Sequence, residues 1–322
     1  MEKILKRIHR RLIKSELTDD KLICATNYGG NLIYSINCFD APNTLLELGR
    51  LREFAFRDAG GGIGKSIDLD QFDITNPPFQ QLIVWDPKEK EIISSYRYIL
   101  GKDIKIDKNG IHSPTAKLFK FSDNFIRNYL PYSMELGRSF VQPQYQASRS
   151  RKGLFALDNV WDGLGAIMYK HPEIKYVYGK MTMYKSYNPF ARDLILFFLN
   201  KHFSKGEILM GAYTPQKYYH DENRLAALFP NDNFKDDYKS LVHEVDKLGC
   251  KIPPLVNIYM KVASTMQCFG TSDNEEFGDT EETVILIKID DIYEEKKARH
   301  LNPKSYKSLN DYKNLLFRKK QS

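Results

Sequence analysis

The segment from Gln81 to Leu100 restricts what this chain can fold into more than any other. Gln81-Leu82-Ile83-Val84-Trp85-Asp86 and Glu91-Ile92-Ile93-Ser94-Ser95-Tyr96-Arg97-Tyr98-Ile99-Leu100 are dominated by β-branched and aromatic residues, and Pro87-Lys88-Glu89-Lys90 between them is a polar turn. Strands joined by so short a connection pair antiparallel.

The rest of the chain supplies partners for that hairpin. Residues 21–38 alternate apolar stretches with the turn Asn27-Tyr28-Gly29-Gly30-Asn31, which predicts two more strands. Asn43 reads as the N-cap of a helix running to about Asp58, with Leu46, Leu48, Leu51, Phe54 and Ala55 available for its buried face. Further strands are expected at 133–141 and 176–183, and helices at 154–169 and 189–203. A helical stretch near 235–248 and strands near 259–268 and 283–289 follow. The fold class expected is α/β of the α+β kind: a central, mixed but mostly antiparallel twisted sheet flanked by helices, with a C-terminal extension. The divisions predicted are 1–20, a basic amphipathic helix; 21–205, the core; 206–293, an extension completing the fold; and 294–322, a basic tail.

With 322 residues, 42% of them hydrophobic, the chain can bury one large core. Four cysteines lie far apart without CxxC spacing, so neither a zinc knuckle nor a disulfide framework is expected. No apolar run is long enough to span a bilayer, which predicts a cytoplasmic protein. Much of the net charge of +7 sits at the ends: Lys3, Lys6, Arg7, Arg10, Arg11 and Lys14 open the chain, and Arg318, Lys319 and Lys320 close it. Ile4, Leu5, Ile8, Leu12 and Ile13 recur among the first group at helical spacing. Two uses fit such a helix: packing on the core, or peripheral contact of residues 1–14 with an anionic membrane surface. No recognition-helix or RNA-binding pattern accompanies the charge, so no nucleic-acid partner is expected.

Several familiar sites are excluded. Ala59-Gly60-Gly61-Gly62-Ile63-Gly64-Lys65-Ser66 resembles a phosphate-binding loop, but its first glycine is Ala59 and it follows a helix rather than a buried strand. There is no GxSxG and no HExxH, and the seven histidines are scattered, so no metal site is expected.

What remains is an ordered set of short motifs. Arg52-Glu53-Phe54-Ala55-Phe56 places Arg52 and Phe56 on one helix, Asp70-Gln71-Phe72-Asp73 follows, Arg97 lies on a strand, and Glu135-Leu136-Gly137-Arg138-Ser139-Phe140-Val141 closes the series. A strand would point Glu135 and Arg138 to opposite faces, unless Gly137 permits a bulge that reorients one of them. Arg97, with Ile93, Ser95 and Ile99 on its face, needs a carboxylate that Asp70, Asp73 or Glu135 can supply. By themselves Asp70 and Asp73 read as turn or capping residues.

In order and spacing these motifs resemble the acyl-carrier-protein-dependent branch of the GNAT superfamily. That branch holds acyl-homoserine-lactone synthases, long-chain N-acyl amino acid synthases and the hemolysin-like ornithine or glycine N-acyltransferases. The resemblance covers about 45–205, and Ile252-Pro253-Pro254-Leu255-Val256-Asn257-Ile258-Tyr259 adds to it. It implies an acyltransferase that moves a fatty acyl group from a thioester to the amine of a small amino acid. Glu135 would accept the proton, with Arg138 beside it. Gly137, Ser139, Phe140 and Val141 would contact the thioester and pantetheine. Arg52, Phe56, Asp70, Asp73 and Arg97 would order the acceptor side. The stretch Gln146-Ala147-Ser148-Arg149-Ser150-Arg151-Lys152-Gly153 has only one of the glycines that admit the pyrophosphate of coenzyme A. This favours acyl carrier protein over acyl-CoA as donor, with no cofactor tightly bound, and Arg149, Arg151 and Lys152 would face the acidic carrier. Two rivals are a coenzyme A-dependent N-acetyltransferase and a non-catalytic membrane-surface protein.

Overall fold

The computed structural model describes residues 1–146 and 155–301. In chain order its helices are α1 (Arg10–Glu16), α2 (Pro42–Asp58), α3 (Gln71–Ile74), α4 (Ala156–Lys170), α5 (Pro189–Phe203), α6 (Glu222–Ala227), α7 (Phe234–Lys247), α8 (Pro254–Tyr259) and α9 (Glu294–His300). The strands are β1 (Leu22–Ala25), β2 (Leu32–Ile36), β3 (Gln80–Asp86), β4 (Glu91–Leu100), β5 (Ile106–Asp107), β6 (Gly110–Ile111), β7 (Phe119–Phe121), β8 (Ser133–Val141), β9 (Tyr176–Tyr184), β10 (Met210–Ala212), β11 (Gln267–Asn274) and β12 (Thr280–Lys288). The described residues fall into two compact units, one drawn from 1–105, 134–146, 155–174 and 294–301 and the other from 106–133 and 175–293.

In the first unit β1, β2, β3, β4 and β8 form consecutive antiparallel pairs. The sheet has one face for each of two helices. Gly163 of α4 lies against Ile33 and Leu82, whose side-chain atoms come within 2.8 Å of where a Cβ would stand, so only glycine allows this approach. Ser94 Oγ donates to the Ala156 carbonyl on the same side. Residues one step along each strand, Gln81, Arg97 and Glu135, therefore point to the other face, where Arg52 of α2 meets Gln81.

α2 begins two residues earlier than expected, with Pro42 as its first residue, and Asn43 is not its cap. Its free amides are satisfied from a distance: the Glu16 carboxylate accepts from the backbone N–H groups of Asn43 and Thr44 at 3.0 and 2.8 Å. Leu46 and Phe54, expected in the core, are 37% and 40% exposed, while Arg52 and Glu53 are fully buried in their stead. Glu53 is satisfied by the glycine loop itself, accepting from the amides of Ile63 and Gly64 and from Arg57 Nε. Amides that would cradle a phosphate are thus already spent on a carboxylate of the chain.

The helix expected over residues 1–20 is confined to Arg10–Glu16. Residues before it run as an arm whose donors are used by neighbours: Glu2 N–H to the Gly64 carbonyl, Leu5 N–H to that of Ser66, and Ile8 N–H to Glu47 Oε2. Only Ile13 of the expected apolar stripe is buried. At the other end of the unit α9 lies on α4, where His300 Nδ1 is 2.8 Å from Asp162 Oδ1 and Arg299 pairs with Asp158.

The second unit carries the antiparallel set β9, β12, β11 with α5 against β11. Arg192 of α5 grips Glu281 with Nε and Nη2 at 2.8 and 3.0 Å, and Asp193 accepts from the amides of Tyr219 and His220. This pins the segment after β10, which sequence patterns left undefined. The strand expected at 259–268 is instead the end of α8 and a turn, with β11 starting at Gln267. Pro254 in the first turn of α8 has the φ of a helix start, which outweighs the apolar run behind it.

Candidate active site

The site grows from one irregularity between β4 and β8. Arg97 faces Gly137 and Ser95 faces Phe140, so Arg138 and Ser139 together oppose Tyr96. That is a β-bulge, as expected, but the left-handed residue in it is Arg138, at φ 51°, and not Gly137. In an unbroken strand Arg138 would share a face with Leu136. The bulge carries it to the α2 side, where its Nε lies 3.1 Å from Asp68 Oδ2 and its Nη2 3.6 Å from Asp70 Oδ2. Glu135, opposite Ile99 and 2% exposed, points to the same side. A Cβ placed on Gly137 meets nothing within 4 Å, so the strand is bare between Glu135 and Arg138.

Around this opening, arginines and aspartates interlock. Arg52, wholly buried, donates through Nη1 to both Asp73 oxygens at 3.1 and 3.2 Å and through Nη2 to Gln81 Oε1. Gln81 Nε2 returns a bond to Asp73 Oδ1 at 3.0 Å. Arg97 Nη1 lies 2.7 Å from Asp70 Oδ1 and 3.1 Å from Asp73 Oδ2, its guanidinium over the rings of Phe72 and Phe79. Asp70 and Asp73 also form the capping box of α3, accepting from the amides of Phe72 and Asp70. Both readings of these aspartates, cap and network, therefore hold at once.

The network splits its carboxylates electrostatically. Burial works to raise Asp73 and Asp70, but Arg52 and Arg97 outweigh it at Asp73, and Arg97 does so at Asp70, so both sit below the ordinary carboxylate value. Asp68, also fully buried, is pushed up by burial, which Arg138 offsets only in part. Arg97, though burial opposes its charge, is held more firmly protonated by Asp73 and Asp70.

The structure thus brings Arg52, Asp70, Asp73, Arg97 and Arg138 into direct contact and puts Glu135 on their face. Phe56 and Phe140 meet edge-to-face at 6.5 Å. Ser139 and Val141 are half-buried on β8. Arg149, Arg151 and Lys152 lie outside the described residues. Sequence patterns missed Asp68 and Gln81. Alternation in Asp68-Leu69-Asp70 hinted at the first, and closing the hairpin at 87–90 brings Gln81 close to Arg97 across the pair. They also missed Ser95, whose buried Oγ has no hydrogen-bond partner among the described residues. No group of three or more metal-ligating side chains occurs among those residues.

A bulged strand beside a bare glycine, set in an antiparallel sheet between helices, is the frame of a GNAT-type acyltransferase. A family model described as the acetyltransferase (GNAT) domain matches residues 51–156, which span the whole network. The chain is 50% identical to the glycine N(alpha)-acyltransferase of Phocaeicola vulgatus, over 94% of its own length and 93% of that protein. It is 51% identical to the glycine N(alpha)-acyltransferase of Bacteroides thetaiotaomicron, over 94% and 90%. A solved CoA-dependent acyl-homoserine lactone synthase aligns over 89% of this chain at 9% identity and a TM-score of 0.32, too remote to carry any argument. The chain belongs to the GNAT N-acyltransferases, in the family that contains the two glycine N(alpha)-acyltransferases, and it is an acyltransferase.

Proposed function

We propose that this enzyme moves a fatty acyl group from an acyl carrier protein thioester to the amine of glycine, as a step in making aminolipids at the inner face of the membrane. The carrying observation is the Arg138 bulge, which sets Glu135 and Arg138 on one face around the bare Gly137. Glycine as acceptor is supported by the two half-identical relatives that act on it. A carrier protein as donor is supported by the sparse glycines after β8.

The glycine amine, once neutral, attacks the thioester carbonyl carbon and forms the C–N bond. Glu135, or a water it orders, takes the proton that the nitrogen sheds. Negative charge on the carbonyl oxygen is met by backbone N–H groups of the bulged stretch from Arg138 to Val141. The C–S bond then breaks, and the sulfur leaves as a thiol after taking up a proton. Gly137 leaves room for the pantetheine arm, and Arg138, held by Asp68 and Asp70, is the guanidinium offered to the acceptor's carboxylate.

The test is to incubate the protein with fatty-acyl carrier protein or fatty-acyl-CoA and a panel of amines, and to detect N-acyl products by mass spectrometry. N-acylglycine formed faster from the carrier protein supports the reading. No product from any pair, or no loss of product in Glu135→Gln, overturns it.

A further inference from the structure

The N-terminal arm collects positive charge that the acyl-transfer site does not use. Arg7, His9, Arg10, Arg11, Lys14 and Lys90 line most of a cavity of about 580 Å³. Arg7 and Arg10 share the nearly buried Glu91, which Gln144 and Tyr145 also hold. The other carboxylate at hand, Glu47, is 3.9 Å from Arg7 but is committed to Arg50 and the Ile8 amide. Arg11, Lys14 and Lys90 have no carboxylate partner among the described residues. These cations are held in place rather than scattered. The arm is tied down at Glu2, Leu5 and Ile8, and Lys90 sits at φ 56° in a turn closed by its own N–H to the Asp86 carbonyl. Leu5 on the arm and Leu12 on α1 stand 37% and 48% exposed.

We propose that this cavity binds the phosphate headgroup of an anionic lipid, with Leu5 and Leu12 resting at the acyl-chain boundary. A concave cationic site matches a single phosphate better than the convex side of a protein helix. Exposed leucines on the same stretch of chain are of no use to a soluble phosphate, whereas they add apolar burial at a bilayer surface. No described helix is long and apolar enough to cross a membrane, so contact is at the surface. The inference rests on the acyl-transfer reading only for its purpose, since a fatty amide product leaves water for lipid.

The experiment is co-sedimentation with vesicles of phosphatidylcholine, with and without phosphatidylglycerol, across a salt series. Binding is expected only to the anionic vesicles and is expected to weaken with salt. Arg11→Gln, Lys14→Gln and Lys90→Asn combined should lower the partition constant on the order of 100-fold, at about fivefold per cation. These three side chains are exposed, so the thermal midpoint and turnover on soluble substrates should stay unchanged. Leu12→Gln is a second variant, expected to weaken binding with every charge kept. Glu135→Gln should bind vesicles like the parent, which separates a failure here from a failure of the catalytic reading. Absence of binding to anionic vesicles, binding indifferent to the triple variant, or displacement of vesicles by inorganic phosphate alone would overturn the proposal. So would loss, in the triple variant, of binding to acyl carrier protein while the parent ignores vesicles.

Discussion

Arg138 and Asp68 form a pair in which one partner is wholly buried and the other holds a left-handed backbone: 3.1 Å separates Nε from Oδ2, and φ of Arg138 is 51°. A non-glycine residue in that region persists only when its surroundings hold it there. The aspartate is thus the anchor of the bulge as much as the counter-charge of the guanidinium.

Asp68→Ala should destabilise the fold by about 3 kcal/mol, the scale for removing one member of a buried pair. Activity should fall more than stability explains, because Arg138 loses its aim. Urea unfolding measured beside kcat separates the two; full activity in a folded Asp68→Ala would remove Arg138 from the site.

Gly137→Val tests the open space directly. Nothing stands within 4 Å of the new Cβ, so the melting temperature should hardly move. The thioester would meet the added methyls, and kcat/KM for the donor should fall at least about tenfold. A variant that melts early and still acylates would show that the opening faces no substrate.

Arg97→Lys preserves charge but not the planar guanidinium whose Nη1 lies between Asp70 and Asp73 and whose face rests over Phe72 and Phe79. A loss of about 2–3 kcal/mol is expected, with acid unfolding moved to higher pH. Asp70 and Asp73 are depressed in the folded state, so the stability they give is present above their unfolded value of about 4 and is lost as pH falls through the folded one. Weakening their partner raises the folded values and brings that loss nearer neutrality. Acid titration followed by circular dichroism reads the shift.

His300 carries the opposite sign. Burial opposes its charge, but Asp158 and Asp162 outweigh burial and raise it. Its contribution is complete below the unfolded value of about 6.5 and disappears as pH rises through the folded one. The groups facing it are Asp158, Asp162, Arg299 and the Trp161 ring, while Asn27 shares Asp162. Alkaline solution should therefore release α9 from α4. Trp161 fluorescence should report this in the parent and show no such step in His300→Gln.

The glycine loop should ignore nucleotides. Its Ile63 and Gly64 amides are bound to Glu53, so about 1 mM ATP should leave the melting temperature unchanged. A rise of several degrees would mean that the carboxylate yields to phosphate.

Much of this was legible because the relevant patterns are local. The hairpin at 87–90 and the strand 133–141 follow from alternation and turn chemistry, and α5 follows from the helical spacing of apolar residues over 189–203. What escaped was set by distant partners. Glu16 caps α2 across the chain, so Asn43 lost a role that its type and position suggested. The arm was read as helix because its periodicity is helical, but its amides had better acceptors in Gly64, Ser66 and Glu47. Within the site, the family resemblance pointed to Arg52, Asp70, Asp73 and Arg97, whose own patterns gave no more than caps and a strand residue in need of a carboxylate. Asp68 and Gln81 are visible only once the network's register is known.

The bulge on β8 also says something about how such a site arises. What puts Arg138 across from α2 is a matter of count: one residue too many between Gly137 and Phe140 for the partner strand. A substitution leaves that count unchanged, whereas a single-codon deletion of Ser139 would restore the regular register and return Arg138 to the face of Leu136. The geometry of this site is therefore written in the number of residues on β8 as much as in their identity.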